Sequence, residues 1–122
     1  PQLEGKLTGN AVRVPTPNVS LAILNLTLNR KITKNEVETI LKNVSISGDL
    51  VEQIEYSMSN ELVSSDIIGN SHAAIIDAPA TILSHDGKSV VLYIWYDNEY
   101  GYSRQVIRLA KYIAKVIRLV YY

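Results

Sequence analysis

Residues 73–96 read AAIIDAPATILSHDGKSVVLYIWY, and the way this stretch divides decides the fold. Residues 73–83 and 89–96 are rich in Ile, Val, Leu and aromatic side chains, and Ser84, His85, Asp86, Gly87 and Lys88 separate them. An Asp-Gly pair between two apolar runs is a hairpin signal, because both residues accept the backbone angles of a tight antiparallel turn. The stretch predicts two strands running in opposite directions. Pro79 cannot donate to a strand ladder, so the first strand must be an edge or locally bulged.

Upstream, Ile54, Tyr56 and Met58 alternate with Gln53, Glu55 and Ser57, the period of a strand with one wet face. Before that, Thr33, Lys34, Asn35 and Glu36 match a helix capping box, and Val37, Ile40, Leu41 and Val44 follow at helical spacing towards a stop at Gly48. Two apolar runs open the chain, at residues 6–14 and 19–28, with Pro15, Thr16, Pro17 and Asn18 between them. Proline fixes φ and lacks a donor, so this junction reads as a break or edge between two strands. In the second run Leu21 and Ile23 take one face and Leu24, Leu26 and Leu28 the other, which requires either cover on both faces or a bulge.

Downstream, from about Gly101, the period becomes helical. Val106, Leu109, Ile113 and Val116 fall on one face, and Arg104, Arg108, Lys111, Lys115 and Arg118 on another. A solvated basic stripe is preferred here to a membrane-surface face, even with Val120, Tyr121 and Tyr122 at the end. The order strand, strand, helix, strand, strand, strand, helix lacks the regular alternation of a doubly wound parallel sheet. It predicts an α+β fold of two layers, a mostly antiparallel sheet with helices packed on one face.

A chain of 122 residues affords one core. Hydrophobic residues at 47% and charged ones at 20% match a globular domain and exclude a disordered or fibrous class. Twelve basic residues balance twelve acidic ones, so the broad attraction that draws proteins to nucleic acid is missing. No cysteine is present, which excludes disulfides, thiolate metal clusters and a cysteine nucleophile from this chain. The first residues lack the apolar core of a signal peptide, and no run of about 18 apolar residues occurs, so the expectation is a cytoplasmic protein without a membrane partner.

Only His72 and His85 titrate intrinsically near neutrality. His85 sits in the turn and His72 in a loop, and structural roles are the preferred reading of both. Paired ligands at metal-binding spacing are missing, as are a GxGxxG fingerprint and a phosphate-cradling glycine loop. No metal site and no complete dinucleotide pocket are expected.

Three segments nevertheless stand out: GKLTGNAVRVPTPNVS at residues 5–20, VSSDIIGNSHAAIIDA at 63–78 and IWYDNEYGYS at 94–103. Each resembles a signature of the glyceraldehyde-3-phosphate dehydrogenases, and their order and approximate spacing agree as well. The resemblance covers essentially the whole chain. It departs from common family patterns at Ile23, where an acidic residue is frequent, and at Pro79, where a small residue usually follows the Asp-Ala pair.

The resemblance implies that residues 1–122 form the C-terminal portion of the catalytic domain of a glycolytic, NAD-dependent oxidoreductase, a cytoplasmic homotetramer. Such enzymes convert glyceraldehyde 3-phosphate, NAD and inorganic phosphate to 1,3-bisphosphoglycerate and NADH through a cysteine nucleophile and a histidine base. Both of those, and the NAD-binding Rossmann domain, would precede Pro1, leaving no catalytic residue here and an isolated chain without activity. Arg13 would bind the substrate phosphate through its planar fork of donors, although composition alone favours an ion pair with a carboxylate. Asn98 would hydrogen-bond the nicotinamide carboxamide, and Tyr102 would pack near that ring. Alternatives are a fragment of an erythrose-4-phosphate dehydrogenase and a noncatalytic interaction module using the sheet face or the basic helix.

Overall fold

The computed structural model describes residues 2–116. Strand β5 (Ser89–Tyr96) is the axis of a five-stranded sheet. Val90, Leu92 and Ile94 point to one face and Val91, Tyr93 and Trp95 to the other, so this strand is apolar on both sides, as a central strand must be. On one flank it pairs antiparallel with β1 (Ser20–Thr27), from Ser20 opposite Tyr96 to Thr27 opposite Ser89. On the other flank it pairs antiparallel with β3 (Ala74–Asp77) and with the two-residue β4 (Ile82–Leu83). β2 (Ile54–Ser57) closes that side, running parallel to β3. The order β1-β5-β3-β2 is thus mostly antiparallel, in an α+β fold.

The expected hairpin forms at β4 and β5. Its turn is closed by Gly87 N donating to the Ser84 carbonyl at 2.9 Å and by Ser84 N donating to the Ser89 carbonyl at 2.8 Å. Gly87 has φ +69, and a Cβ there would stand 2.7 Å from the Ile32 carbonyl oxygen. Both the left-handed backbone and the close approach require glycine. Around Pro79 the first apolar run is neither an edge strand nor a bulged one: β3 is paired on both sides, and a turn at residues 78–81 interrupts the run, leaving β3 and β4 as separate strands.

Helix α1 (Lys34–Ile46) begins at the foreseen capping box, with Thr33 as N-cap. The Thr33 hydroxyl accepts from Glu36 N at 3.2 Å, and the Glu36 carboxylate accepts from Thr33 N at 2.8 Å. These bonds, with Arg30 3.3 Å from the same carboxylate, hold the Glu36 carboxyl below its ordinary pKa. Gly48 follows the C-cap Ser47 at φ +87. Thr33→Ala removes one side of the reciprocal cap and is expected to lower stability by about 1 kcal/mol, read from urea denaturation. Thr33→Ser should cost a small fraction of that.

Two buried clusters flank β5. Val37 of α1 packs with Val90 and Leu92, aided by Leu28, Ile32, Leu41, Leu83 and Ile94. On the opposite side of β5, Ile67 of the one-turn helix α2 (Ser64–Ile67) packs with Val19 and Ile75, aided by Leu62 and Trp95. Alternation along β5 puts Leu92 and Trp95 on different faces, so these clusters sandwich the strand.

Three more expectations need correction. Residues 6–14 form no strand: they run as an exposed arm, with Leu7 at 72% and Val12 at 82% exposure. A strand exists by pairing, and among the described residues no strand pairs with this arm. β1 itself is neither bulged nor covered on both faces. Its register is unbroken, and Leu21, Ile23, Leu24 and Leu26 all retain substantial exposure, because it is the sheet's edge.

The last helix, α3 (Tyr100–Ile113), is rotated relative to expectation. Gly101 is buried and Gln105 and Arg108 are half-buried, whereas Val106, Leu109, Ile113 and the following Val116 are exposed. A Cβ on Gly101 would stand 2.6 Å from the His72 carbonyl oxygen. The helix is seated through that bare backbone contact, and the contact sets its rotation. Arg108 accordingly leaves the basic stripe: its Nη2 donates to the Asp49 carbonyl at 2.9 Å and its Nε lies 3.9 Å from Glu52. Arg118, Val120, Tyr121 and Tyr122 lie outside the described residues. Among the described residues no helix is long and apolar enough to cross a membrane.

Candidate functional site

The end of β5, the start of β1 and the loop after α2 converge on Asp97. Its Oδ1 accepts from Glu99 N at 2.9 Å and Tyr100 N at 2.7 Å, so it caps the first turn of α3 in place of a side-chain cap at Glu99. Its Oδ2 accepts from Gly69 N and from Asn18 Nδ2, both at 2.9 Å. Asp97 is thereby buried to 4% exposure. The donors, led by the Tyr100, Gly69 and Glu99 amides, hold its carboxyl at a pKa of about 2.

Asn18 continues the network from the other side. Its Oδ1 accepts from Val19 N at 2.7 Å and from Asn98 N at 3.3 Å. Val19 is held at φ +77, a left-handed conformation that a β-branched residue adopts only under constraint. Its side chain is buried against Ile67 and Ile75, so the core and the Asn18 bond together enforce the bend. The bend delivers Ser20 to Asn98, where the Ser20 hydroxyl donates to Asn98 Oδ1 at 2.5 Å.

Beside this junction lies an open hollow of about 350 Å³ lined by Ala73, Tyr96, Asp97, Asn98, Tyr102 and Gln105. The structure thus brings Asn98 and Tyr102 together on one surface. Tyr102 offers its ring at 73% exposure. Gln105 Nε2 is buried with no hydrogen-bond partner.

Arg13 is placed apart from this hollow in the sense that it rides on the exposed arm, five residues before Asn18. His72 Nδ1 lies 2.9 Å from Asn70 Oδ1 and 3.1 Å from Glu55 Oε2, which ties the loop ahead of β3 to β2. His85 is exposed in the hairpin turn. Among the described residues no group of three His, Asp or Glu side chains is arranged to hold a metal ion.

Comparison with known proteins fits this geometry into a family. Residues 1–98 match the model of the glyceraldehyde 3-phosphate dehydrogenase C-terminal domain. The chain belongs to that family. It is 52% identical over 116 residues to a glyceraldehyde-3-phosphate dehydrogenase-like protein of Pseudomonas aeruginosa, covering 95% of this chain and 25% of that protein. It is 49% identical to glyceraldehyde-3-phosphate dehydrogenase 1 of Bacillus subtilis, covering 94% of this chain and 33% of the relative. For glyceraldehyde-3-phosphate dehydrogenase 3 of Saccharomyces cerevisiae the identity is 44%, over 94% of this chain and 34% of the relative. The chain therefore spans a quarter to a third of the length of these relatives.

Within this C-terminal domain, the Asp97 junction and the partnerless Gln105 amide were missed by sequence reasoning. Asp-Asn after an apolar run and just before a helix is a capping and turn signal, and it would have pointed to Asp97. Nothing local in the sequence marks Gly69 or Asn18 as its partners, since they lie 28 and 79 positions away.

Proposed function

We propose that this domain supplies the substrate-phosphate and nicotinamide contacts of an NAD-dependent phosphorylating glyceraldehyde-3-phosphate dehydrogenase, while the nucleophile and the Rossmann domain are carried elsewhere in the protein. The observation that carries the reading is the hollow on which Asn98 and Tyr102 meet. Its chemistry fits a nicotinamide carboxamide: Asn98 has an amide that both donates and accepts, and Tyr102 has an apolar ring face. When bound, the nicotinamide ring would accept the hydride from the substrate. The residues of this chain bind and orient. Asn98 holds the carboxamide so that one ring face is presented, and Tyr102 limits where the ring lies.

Arg13 is assigned to the phosphate of glyceraldehyde 3-phosphate. It is an exposed guanidinium on an arm anchored at Asn18, and a planar fork of donors suits a phosphoryl group. The attacking inorganic phosphate, the homo-oligomeric assembly and a cytoplasmic setting belong to the same proposal by family membership. In the intact dehydrogenase, Arg13→Ala is expected to raise the KM for glyceraldehyde 3-phosphate by roughly 10- to 100-fold, the loss of a charge-assisted contact, with the KM for NAD unchanged. Arg13→Lys should recover part of the loss. Equal KM values for wild-type and Arg13→Ala enzyme would remove Arg13 from the site.

A further inference from the structure

Ser20 is the first residue of β1 and pairs with Tyr96 at the end of β5, two positions before Asn98. An amide side chain has two ends of opposite character, and only one can face a ligand. The contact between the Ser20 hydroxyl and the near end of the Asn98 amide is 2.5 Å. The near end is the carbonyl oxygen, with the serine as donor, and Nδ2 is left to donate elsewhere.

Ser20 is not placed there by chance of a surface rotamer. It follows Val19 at φ +77, the strained step fixed by Asn18 Oδ1 on Val19 N and by the buried Val19 side chain. Asn18 also accepts from Asn98 N and donates to Asp97. Backbone and side chain of Asn98 are thus gripped from one short segment, Asn18 through Ser20, with strain maintained at the point of grip.

We infer that Ser20 is a positioning residue for the cofactor: its hydroxyl fixes the rotation of the Asn98 amide so that Nδ2 is presented as the donor, selecting a ligand that offers a carbonyl oxygen. The inference rests on the nicotinamide reading of Asn98. Without the hydroxyl, the amide turns about its last bond and spends part of its time with the oxygen outward, where it repels a carbonyl.

The test uses Ser20→Ala, Ser20→Thr, Asn98→Ala and the double variant. In the isolated chain, the Asn98 side-chain carbonyl carbon signal is expected to move in Ser20→Ala and to stay near its wild-type position in Ser20→Thr, which keeps the hydroxyl. In the intact dehydrogenase, Ser20→Ala should raise the KM for NAD by about 3- to 10-fold, the loss of one neutral hydrogen bond, with the KM for the aldehyde unchanged. Adding Ser20→Ala to Asn98→Ala should cost nothing more. A costly Asn98→Ala with a silent Ser20→Ala, or with effects that simply add, overturns the positioning role while the nicotinamide reading stands. A silent Asn98→Ala overturns both. A lower melting temperature in Ser20→Ala with no change in KM also overturns the positioning role, since the hydroxyl would then be structural alone.

Discussion

Replacing Ile75 with alanine is expected to cost about 3 kcal/mol, within the 2–5 kcal/mol seen when large aliphatic side chains are cut back in cores. Ile75 has 0% exposure. It lies opposite Trp95 in the β3–β5 ladder and beside Glu55 in the β2–β3 ladder, and its side chain meets Val19 and Ile67. Backbone pairing on both sides prevents β3 from moving inward to fill the space. The gap would open beneath the strained Val19, so the damage should reach the Asn18 grip as well as the sheet. For a chain of this size the loss corresponds to a fall of roughly 10 °C or more in melting temperature. Ile75→Val should cost about 1 kcal/mol. Thermal and urea melts followed by circular dichroism decide it: a change below 1 kcal/mol for Ile75→Ala would mean that this cluster is not a core.

The second large effect is set by Asp97. Its carboxyl is held at about pH 2 in the folded chain against an ordinary value of 3.8. A depressed folded-state pKa means that the unfolded chain binds the proton more readily. The stabilisation is therefore complete above about pH 4 and is lost as the pH falls from there towards 2. Glu36 and Asp86 are also lowered and push the same way. Asp97→Asn keeps one acceptor oxygen where four donors converge, and Asp97→Ala keeps none. Both variants should be less stable than wild type at pH 7, alanine more so, and both should lose much of the decline between pH 4 and 2. Amide exchange should accelerate together at Gly69, Glu99 and Tyr100, whose N–H groups Asp97 accepts. If wild type and Asp97→Ala fall in parallel between pH 4 and 2, the acid sensitivity belongs to other carboxylates.

Where the determinant is local, the sequence was readable. The Thr33 to Glu36 cap and the Asp86-Gly87 turn each depend on side chains within a few residues of the backbone they control. The rotation of α3 was not readable from periodicity. Its inward face carries Gly101, Gln105 and Arg108, and it is set by a backbone contact with His72 from a distant loop. The arm at residues 6–14 has strand-like composition, but a strand needs a neighbour, which composition does not reveal. Asn98 and Tyr102 were singled out through resemblance to the family rather than by any local pattern, and both line one hollow. The network that holds Asn98 joins residues up to 80 positions apart, beyond the reach of any local pattern.

The pairing of β1 with β5 runs from Thr27 opposite Ser89 to Ser20 opposite Tyr96, some 62 to 76 positions along the chain. During translation β1 would leave the ribosome well before its partner among the described residues exists. At about 5–20 residues per second the wait is roughly 3 to 15 s. Four leucine and isoleucine side chains of an edge strand would spend that interval without a ladder. The nascent polypeptide is then most vulnerable to aggregation at the segment that later grips Asn98, and chaperone dependence should ease in a circular permutant that places β5 ahead of β1.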